Sequence, residues 1–284
     1  MEGKICVITG STNGIGKVAA TALAGMGARI VLVSRNQTKG EQVKQEIIEQ
    51  TGTEQVDFFQ ADLSLLKAIR RVAEIIRQQY DHIDVLLNNA GAFFSAFELT
   101  DEGFERTFAL NHLNYFLLTR ELLPLVQAAP RGRIVNVASD AHKGVEMDFE
   151  NLNGEKNFSG WKAYQRSKLA NIMFTYRLAE QLDHGSVTAN CLHPGFVRTG
   201  FGDNNKGLFR AGLKMAKRLA AISMAKGAET SIYLASSPEV EGVSGKYFEK
   251  KKAVPSSKAS YDQEAIRRLW DVSETLVAGG TTTP

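Results

Sequence analysis

The sequence predicts an α/β fold: a doubly wound parallel sheet of about seven strands with helices on both faces, built as a single domain over residues 1–284. Three observations predict it. Short β-rich runs alternate with longer amphipathic runs along the chain, with no block of strands alone. The β-rich runs are nearly continuous in Val, Ile, Leu and Phe, the pattern of strands buried on both faces. The first run leads into a glycine-rich turn and then a helical pattern, the usual opening of such sheets.

Taken in order, the expected strands are 5–9, 29–34, 55–60, 85–89, 133–137, 186–192 and, with the weakest pattern, 245–248. The expected helices are 16–26, 38–50, 65–80, 102–128, 164–183 and 227–235, each with apolar residues at helical spacing. One region shifts in composition. Residues 200–223 are glycine-rich at the start and basic-amphipathic afterwards, and they read as a lid hinged at Gly200, Gly202 and Gly207. The tail 279–284 reads as disordered.

Bulk numbers exclude several function classes. Thirty-four Lys and Arg against 31 Asp and Glu leave a net charge of +3, and the short Lys250-Lys251-Lys252 run beside Glu249 reads as solvated surface, so nucleic acid is not an expected partner. Cys6 and Cys191 lie inside apolar runs without nearby His pairs. They read as buried core residues, with no metal site and no disulfide framework, as in a reducing compartment. No apolar run reaches membrane-spanning length, and strand-like sequence begins by Lys4, so neither a membrane span nor a leader is expected; the expected location is cytoplasmic.

The turn reads Thr9-Gly10-Ser11-Thr12-Asn13-Gly14-Ile15-Gly16. Gly10 permits a sharp exit from the strand, Gly14 lets backbone approach a pyrophosphate, and Gly16 lets the helix pack closely on the sheet. The helix N-terminus adds free N–H groups and the positive end of its dipole. The spacing G-x-x-x-G-x-G resembles the turn of short-chain dehydrogenase/reductases, which implies a Rossmann-type dinucleotide site over Gly10, Ser11, Thr12, Asn13, Gly14, Ile15 and Gly16. Where an acid after the second strand would hold the ribose hydroxyl of NAD, the residues are Ser34-Arg35-Asn36. Arg35 suits a 2′-phosphate, with Ser34 and Asn36 as donors, so NADP(H) is the expected cofactor; the alternative is an Arg35 that stacks on adenine or faces water. By resemblance, Asp62 and Leu63 contact the adenine, and Asn88-Asn89-Ala90-Gly91 packs beside the adenosine half and steadies the sheet. Pro194, Gly195, Val197 and Thr199 match the family's Pro-Gly segment, with Val197 and Thr199 at the nicotinamide carboxamide.

Tyr164 and Lys168 stand four apart in a helical run and so share one face. Bringing a phenol from a pKa near 10 to about 7 takes roughly 4 kcal/mol. One ammonium at about 4 Å, at an effective dielectric near 20, supplies roughly that. Ser139 follows the fifth strand, at the sheet edge where such folds bind ligands, and its hydroxyl can hold a substrate oxygen against Tyr164. Asn111 resembles the family residue that bends its helix and holds a water near the lysine. The family's catalytic set is thus complete: Asn111, Ser139, Tyr164 and Lys168. It implies hydride transfer between nicotinamide and a carbonyl, with Tyr164 as acid or base and Asn111 and water as a proton path. His193 beside its Pro-Gly turn and His112 beside Asn111 read as structural.

Within the family, three stretches resemble the retinol dehydrogenase-like branch, which is related to protochlorophyllide reductases: Asp101-Glu102-Gly103-Phe104-Glu105 leading to Asn111-His112-Leu113, Ser139-Asp140-Ala141-His142, and Ser167-Lys168-Leu169-Ala170-Asn171. The segment between Ser139 and Tyr164, with Phe149, Leu152, Phe158 and Trp161, implies an insert near the substrate mouth. Phe93, Phe94, Phe97, Phe149, Trp161, Phe196, Phe201 and Phe209 are candidate substrate-wall residues, suiting an apolar aldehyde, ketone, alcohol or retinoid-like partner; each also fits a core role. The resemblance allows a homodimer or homotetramer through the helices over 102–128 and 164–183. The alternatives are a light-dependent reductase, against which no cysteine stands near the site, and a non-catalytic NADP(H)-binding sensor or scaffold, against which the catalytic set is complete.

Overall fold

A computed structural model describes residues 1–182, 186–197 and 222–279. The apolar runs form one sheet: β1 (Ile5–Thr9), β2 (Arg29–Ser34), β3 (Val56–Gln60), β4 (Val85–Asn88), β5 (Gly132–Val137), β6 (Val187–His193), β7 (Tyr247–Glu249) and β8 (Lys252–Val254). Their order is β3-β2-β1-β4-β5-β6-β7-β8, with every pairing parallel except β7 with β8. Among the described residues, eight strands stand where about seven are expected. The eighth follows a tight turn at Lys250 and Lys251, whose φ values of +50° and +65° are left-handed. So short and exposed a hairpin arm carries no apolar run to announce it.

Alternate residues of each inner strand face opposite layers. Val7, Val31 and Val33 join one core, together with Ile69 and Val72 of α3 (Leu66–Gln79), Leu118 and Leu122 of α4 (Asn114–Ala128) and Leu169 and Met173 of α5 (Gly160–Gln181). Cys6, Ile8, Ile30 and Leu32 join the other. There they meet Ala20 and Leu23 of α1 (Gly14–Gly25), Val43 and Ile47 of α2 (Gln37–Thr51) and Leu234 of α6 (Met224–Ser236). Two covered faces explain why the strands read as unbroken apolar runs.

The long helix expected over 102–128 starts later and is not regular. Leu99 and Glu105 form an antiparallel bridge, and the Glu105 carboxylate accepts from the Thr107 and Phe108 N–H groups at 2.8 Å each. One helical turn (Arg106–Phe108) then passes into a π-helical turn (Ala109–Leu113) before α4.

A C-terminal helix, α7 (Gln263–Val277), lies on the face of α4 and α5. The Trp270 ring stacks on Phe174 at 5.9 Å and meets Phe116 edge-on at 5.0 Å; the His112 imidazole bonds the Ser273 hydroxyl at 2.9 Å; Arg120 pairs with Glu274. α7 therefore covers part of the surface of α4 and α5. Among the described residues, no helix is long and apolar enough to cross a membrane.

Candidate active site

The site assembles at the carboxyl ends of β1, β4 and β5, where the strand order reverses around β1. Gly10 leaves β1 with φ +64°, and a Cβ there would fall 2.7 Å from the Ala90 backbone. A Cβ on Gly16 would fall 2.4 Å from Asn89 Nδ2 and 2.6 Å from the Gly10 carbonyl, so close packing of α1 on the sheet is its role. Gly14 opens α1 at φ +54°. Asn13 caps α1, its side chain accepting from the Gly14 N–H at 2.8 Å. Thr12 and Ile15 complete the turn with intermediate burial. The first N–H groups of a helix lack intrahelical partners, and these face a turn free of acidic side chains, which fits a dinucleotide phosphate.

The polar residues around the turn hold it together more than the sequence indicates. The Ser11 N–H donates to Ser34 Oγ at 3.1 Å, and both residues are buried, so Ser34 braces the turn. Asn36 caps α2 by accepting from the Lys39 N–H at 2.9 Å. Arg35 extends its exposed guanidinium to within 3.8 Å of the Asp62 carboxylate. Asp62 also accepts from the Ser64 N–H and hydroxyl, while Leu63 is buried. Asn89 Nδ2 donates to the Thr9 and Gly10 carbonyls, and the Asn89 and Ala90 N–H groups donate to the Thr9 hydroxyl, so the Asn-Asn-Ala-Gly turn steadies the glycine turn. Below it, Asn88 donates to Thr119 and Asn136, and Asn136 donates to Thr175, a buried belt across β4, β5, α4 and α5 that sequence reading missed.

Four side chains meet beyond that belt. Tyr164 and Lys168 lie one turn apart on α5, with Lys168 Nζ 5.8 Å from the Tyr164 ring centre and 5.7 Å from that of Tyr115. Nζ donates to the Val137 carbonyl at 3.0 Å. The Ser139 hydroxyl lies close enough to the Tyr164 phenol to lower its pKa, and it accepts from the Ala141 N–H at 3.2 Å. Asn111 sits in the π-helical turn, paired through Oδ1 and Nδ2 with the Ala92 N–H and carbonyl, and donating to the Ser167 hydroxyl at 3.0 Å. Gly91 closes the gap: a Cβ there would lie 3.1 Å from Asn111 Oδ1 and 3.3 Å from Lys168 Nζ.

The electrostatics correct the expected tuning of the phenol. Burial pushes the Tyr164 phenol up to about 12, with the Ser139 bond pulling the other way, and burial pushes the Lys168 ammonium down to about 7. Reaching a pKa near 7 from 12 takes about 7 kcal/mol, more than the roughly 4 kcal/mol that one ammonium at about 4 Å supplies at an effective dielectric near 20. The lysine alone does not make this tyrosine a base.

The aromatic candidates divide. Phe93 and Trp161 flank the Tyr164 phenol, with ring centres 6.0 and 5.9 Å from that of Tyr164. Phe97 meets Phe158, and Phe196 is exposed beside Ile222. Phe94 is buried beneath the Arg106 guanidinium, and Phe149 packs on the core under Arg268, so neither serves as an open wall. The insert is thus only partly at the mouth, and its Asn153 instead accepts from the Glu105 N–H at 2.9 Å. Pro194 and Gly195 form the turn after β6, and Val197 is buried, bridged to Ile222. Thr199, Phe201, Phe209, residues 200–221 of the lid expected over 200–223, and the last residues of the tail lie outside the described residues. His193 and His112 are structural: His193 Nδ1 accepts the Asp140 N–H at 3.0 Å, and burial drives the His112 imidazole down to about 3.

Comparison with known proteins agrees with this geometry. The family model described as short chain dehydrogenase matches residues 4–207. The chain is similar to retinol dehydrogenase 14 of Mus musculus, 39% identical over 98% of this chain and 86% of the relative. It is also similar to retinol dehydrogenase 11 of Homo sapiens, 38% identical over 96% and 85%. Among solved structures, one from Mycobacterium Paratuberculosis has a TM-score of 0.78 at 29% identity, covering 99% of this chain and 96% of that one. A short chain dehydrogenase from Escherichia coli CFT073, complexed with NADPH, has a TM-score of 0.69 at 25% identity, covering 89% and 98%. The chain belongs to the short chain dehydrogenase family of oxidoreductases, in its retinol dehydrogenase-like branch.

Proposed function

We propose that this chain is an NADP(H)-dependent oxidoreductase that interconverts an apolar aldehyde or ketone and its alcohol, with Tyr164 as the proton-transferring group. The observation that carries the reading is the meeting of Tyr164, Ser139, Lys168 and Asn111 beside a glycine turn built for a dinucleotide. A bound nicotinamide dinucleotide supplies or accepts the hydride. Its phosphates suit the α1 N-terminus and Arg35, as the NADPH complex of the Escherichia coli relative supports.

The chain's own groups then act on the substrate oxygen. Ser139 orients it and Tyr164 gives it a proton. A phenol raised by burial is protonated at neutral pH, as an ordinary tyrosine is, so it can serve as the proton donor in reduction. Lys168, near 7, exchanges a proton in the physiological range and can restore the phenol. Phe93 and Trp161 give the mouth an aromatic wall, and the retinol dehydrogenases among its relatives support an apolar substrate.

A panel of benzaldehyde, nonanal, retinal and quinones with NADPH tests the reading. Tyr164→Phe should lower turnover at least about 100-fold with NADPH affinity retained. Substantial residual turnover, or a wild type inert to the whole panel, would leave the scaffold reading standing. Arg35→Asp should cut the NADPH-over-NADH preference by about 10- to 100-fold, the worth of a charge-assisted pair. An unchanged ratio removes Arg35 from the cofactor site.

A further inference from the structure

The loop that carries Ser139 is held by two imidazoles. His193, at the end of β6, accepts the Asp140 N–H at 3.0 Å. His142 is fully buried, with Nδ1 2.7 Å from the Ser139 carbonyl and Nε2 accepting the Ser257 N–H at 2.9 Å. A carbonyl only accepts and a backbone N–H only donates, so His142 is the neutral tautomer carrying its proton on Nδ1. Burial presses in the same direction, holding the imidazole below its ordinary pKa. The Tyr247 ring packs on it at 5.2 Å.

Ser257 belongs to a turn that is itself fixed to α5. The Tyr176 hydroxyl meets Ser256 Oγ at 2.7 Å and the Tyr176 and Tyr261 rings stack at 5.3 Å; the Ser256 N–H donates to the Tyr261 hydroxyl at 3.1 Å. Tyr176 and Tyr164 stand on the same helix. A closed circuit therefore runs from the Ser139 carbonyl through His142, Ser257 and Tyr176 to the helix that carries the catalytic phenol.

We infer that His142 is a positioning residue that sets the Ser139 hydroxyl against Tyr164 by tying the Ser139 carbonyl, through the 256–261 turn, to α5. The inference rests on the assignment of Ser139 and Tyr164 to the reaction. His142 touches no reacting atom; it fixes the frame that Ser139 acts from, and displacement of such a frame by a fraction of an ångström costs turnover rather than cofactor affinity.

The two halves of the link can be cut separately. His142→Asn keeps a donor near Nδ1 and loses the acceptor; His142→Gln reaches the Nε2 position and loses the donor. Ser257→Pro removes the N–H from the other side at a φ of −69°, which proline adopts. With benzaldehyde and NADPH, each should lower kcat by about tenfold while the KM for NADPH stays within about twofold. The double variant His142→Gln with Ser257→Pro should be no slower than either single one, because a link cut once is already cut. Wild-type kcat in Ser257→Pro, or losses that multiply in the double variant, overturns the inference.

Imidazole nitrogen NMR on the intact wild-type protein reads the same link without turnover or a variant fold. A neutral His142 protonated at Nδ1 is expected, and a proton on Nε2 overturns the proposal. If Tyr164→Phe abolishes turnover and the three link variants do not lower it, the positioning role fails alone. If the wild type reduces nothing, the functional reading fails, and with it the positioning role, whatever tautomer the NMR reports.

Discussion

Lys168 shows how a single buried residue trades stability for chemistry. Its ammonium, ordinarily near 10.5, is pushed down to about 7 by burial and donates to the Val137 carbonyl at 3.0 Å. Below about pH 7 both folded and unfolded chains hold the proton, and the full cost of burying the charge is present. Between 7 and 10.5 only the unfolded chain holds it, so this group's penalty fades as pH rises. The gap corresponds to about 5 kcal/mol, offset in a Lys168→Met variant by an orphaned carbonyl worth about 1–3 kcal/mol. Lys168→Met should therefore melt above the wild type at pH 6, with the difference narrowing steadily toward pH 10, while turnover is lost. A melting difference independent of pH would show that the lysine holds its proton in the folded chain as it does in the unfolded one, with no lowered pKa. At this scale the sequence was informative about which residues meet and silent about their energetics. The Tyr-x-x-x-Lys spacing guarantees a shared helix face, but not the 5.8 Å separation or the dryness that raises the phenol.

At the scale of elements, the glycine turn and the Asn-Asn-Ala-Gly turn behave as one unit. Asn89 can reach the Thr9 and Gly10 carbonyls only because Gly16 has no side chain. Gly16→Ala should cost about 1–3 kcal/mol of stability, the usual range for overpacking, and weaken NADPH binding along with it. Unchanged NADPH affinity in calorimetry would separate the turn's shape from its ligand. Most strands were legible because two covered faces leave unbroken apolar runs. The π-helical turn was not: a one-residue change of hydrogen-bond register at Asn111 leaves the apolar spacing of its neighbours intact. The brace that Ser34 gives the turn was not legible either, since a serine's type is silent about the Ser11 N–H that its oxygen accepts at 3.1 Å.

For the molecule as a whole, α7 is the element that changes most about the expected behaviour. It carries Ile266, Leu269, Leu276 and Val277 at helical spacing, so its amphipathic pattern was present in the sequence; which surface it covers was not. Trp270 between Phe116 and Phe174 is the centre of that contact. Trp270→Ala should lower unfolding stability by about 3 kcal/mol, read by urea titration, and expose the α4–α5 face. A loss under 1 kcal/mol would mean that α7 rests on this face without contributing to its stability.

The placement of the final segment also bears on how the protein is made. Residues 256–277 lie against His142, Tyr176 and Phe174, which were synthesised about a hundred positions earlier. The loop that carries Ser139 and the flank of α5 thus stay unfinished until residues 256–277 have been synthesised. A nascent or prematurely stopped polypeptide carries the whole cofactor turn yet lacks the buttress of its reaction centre.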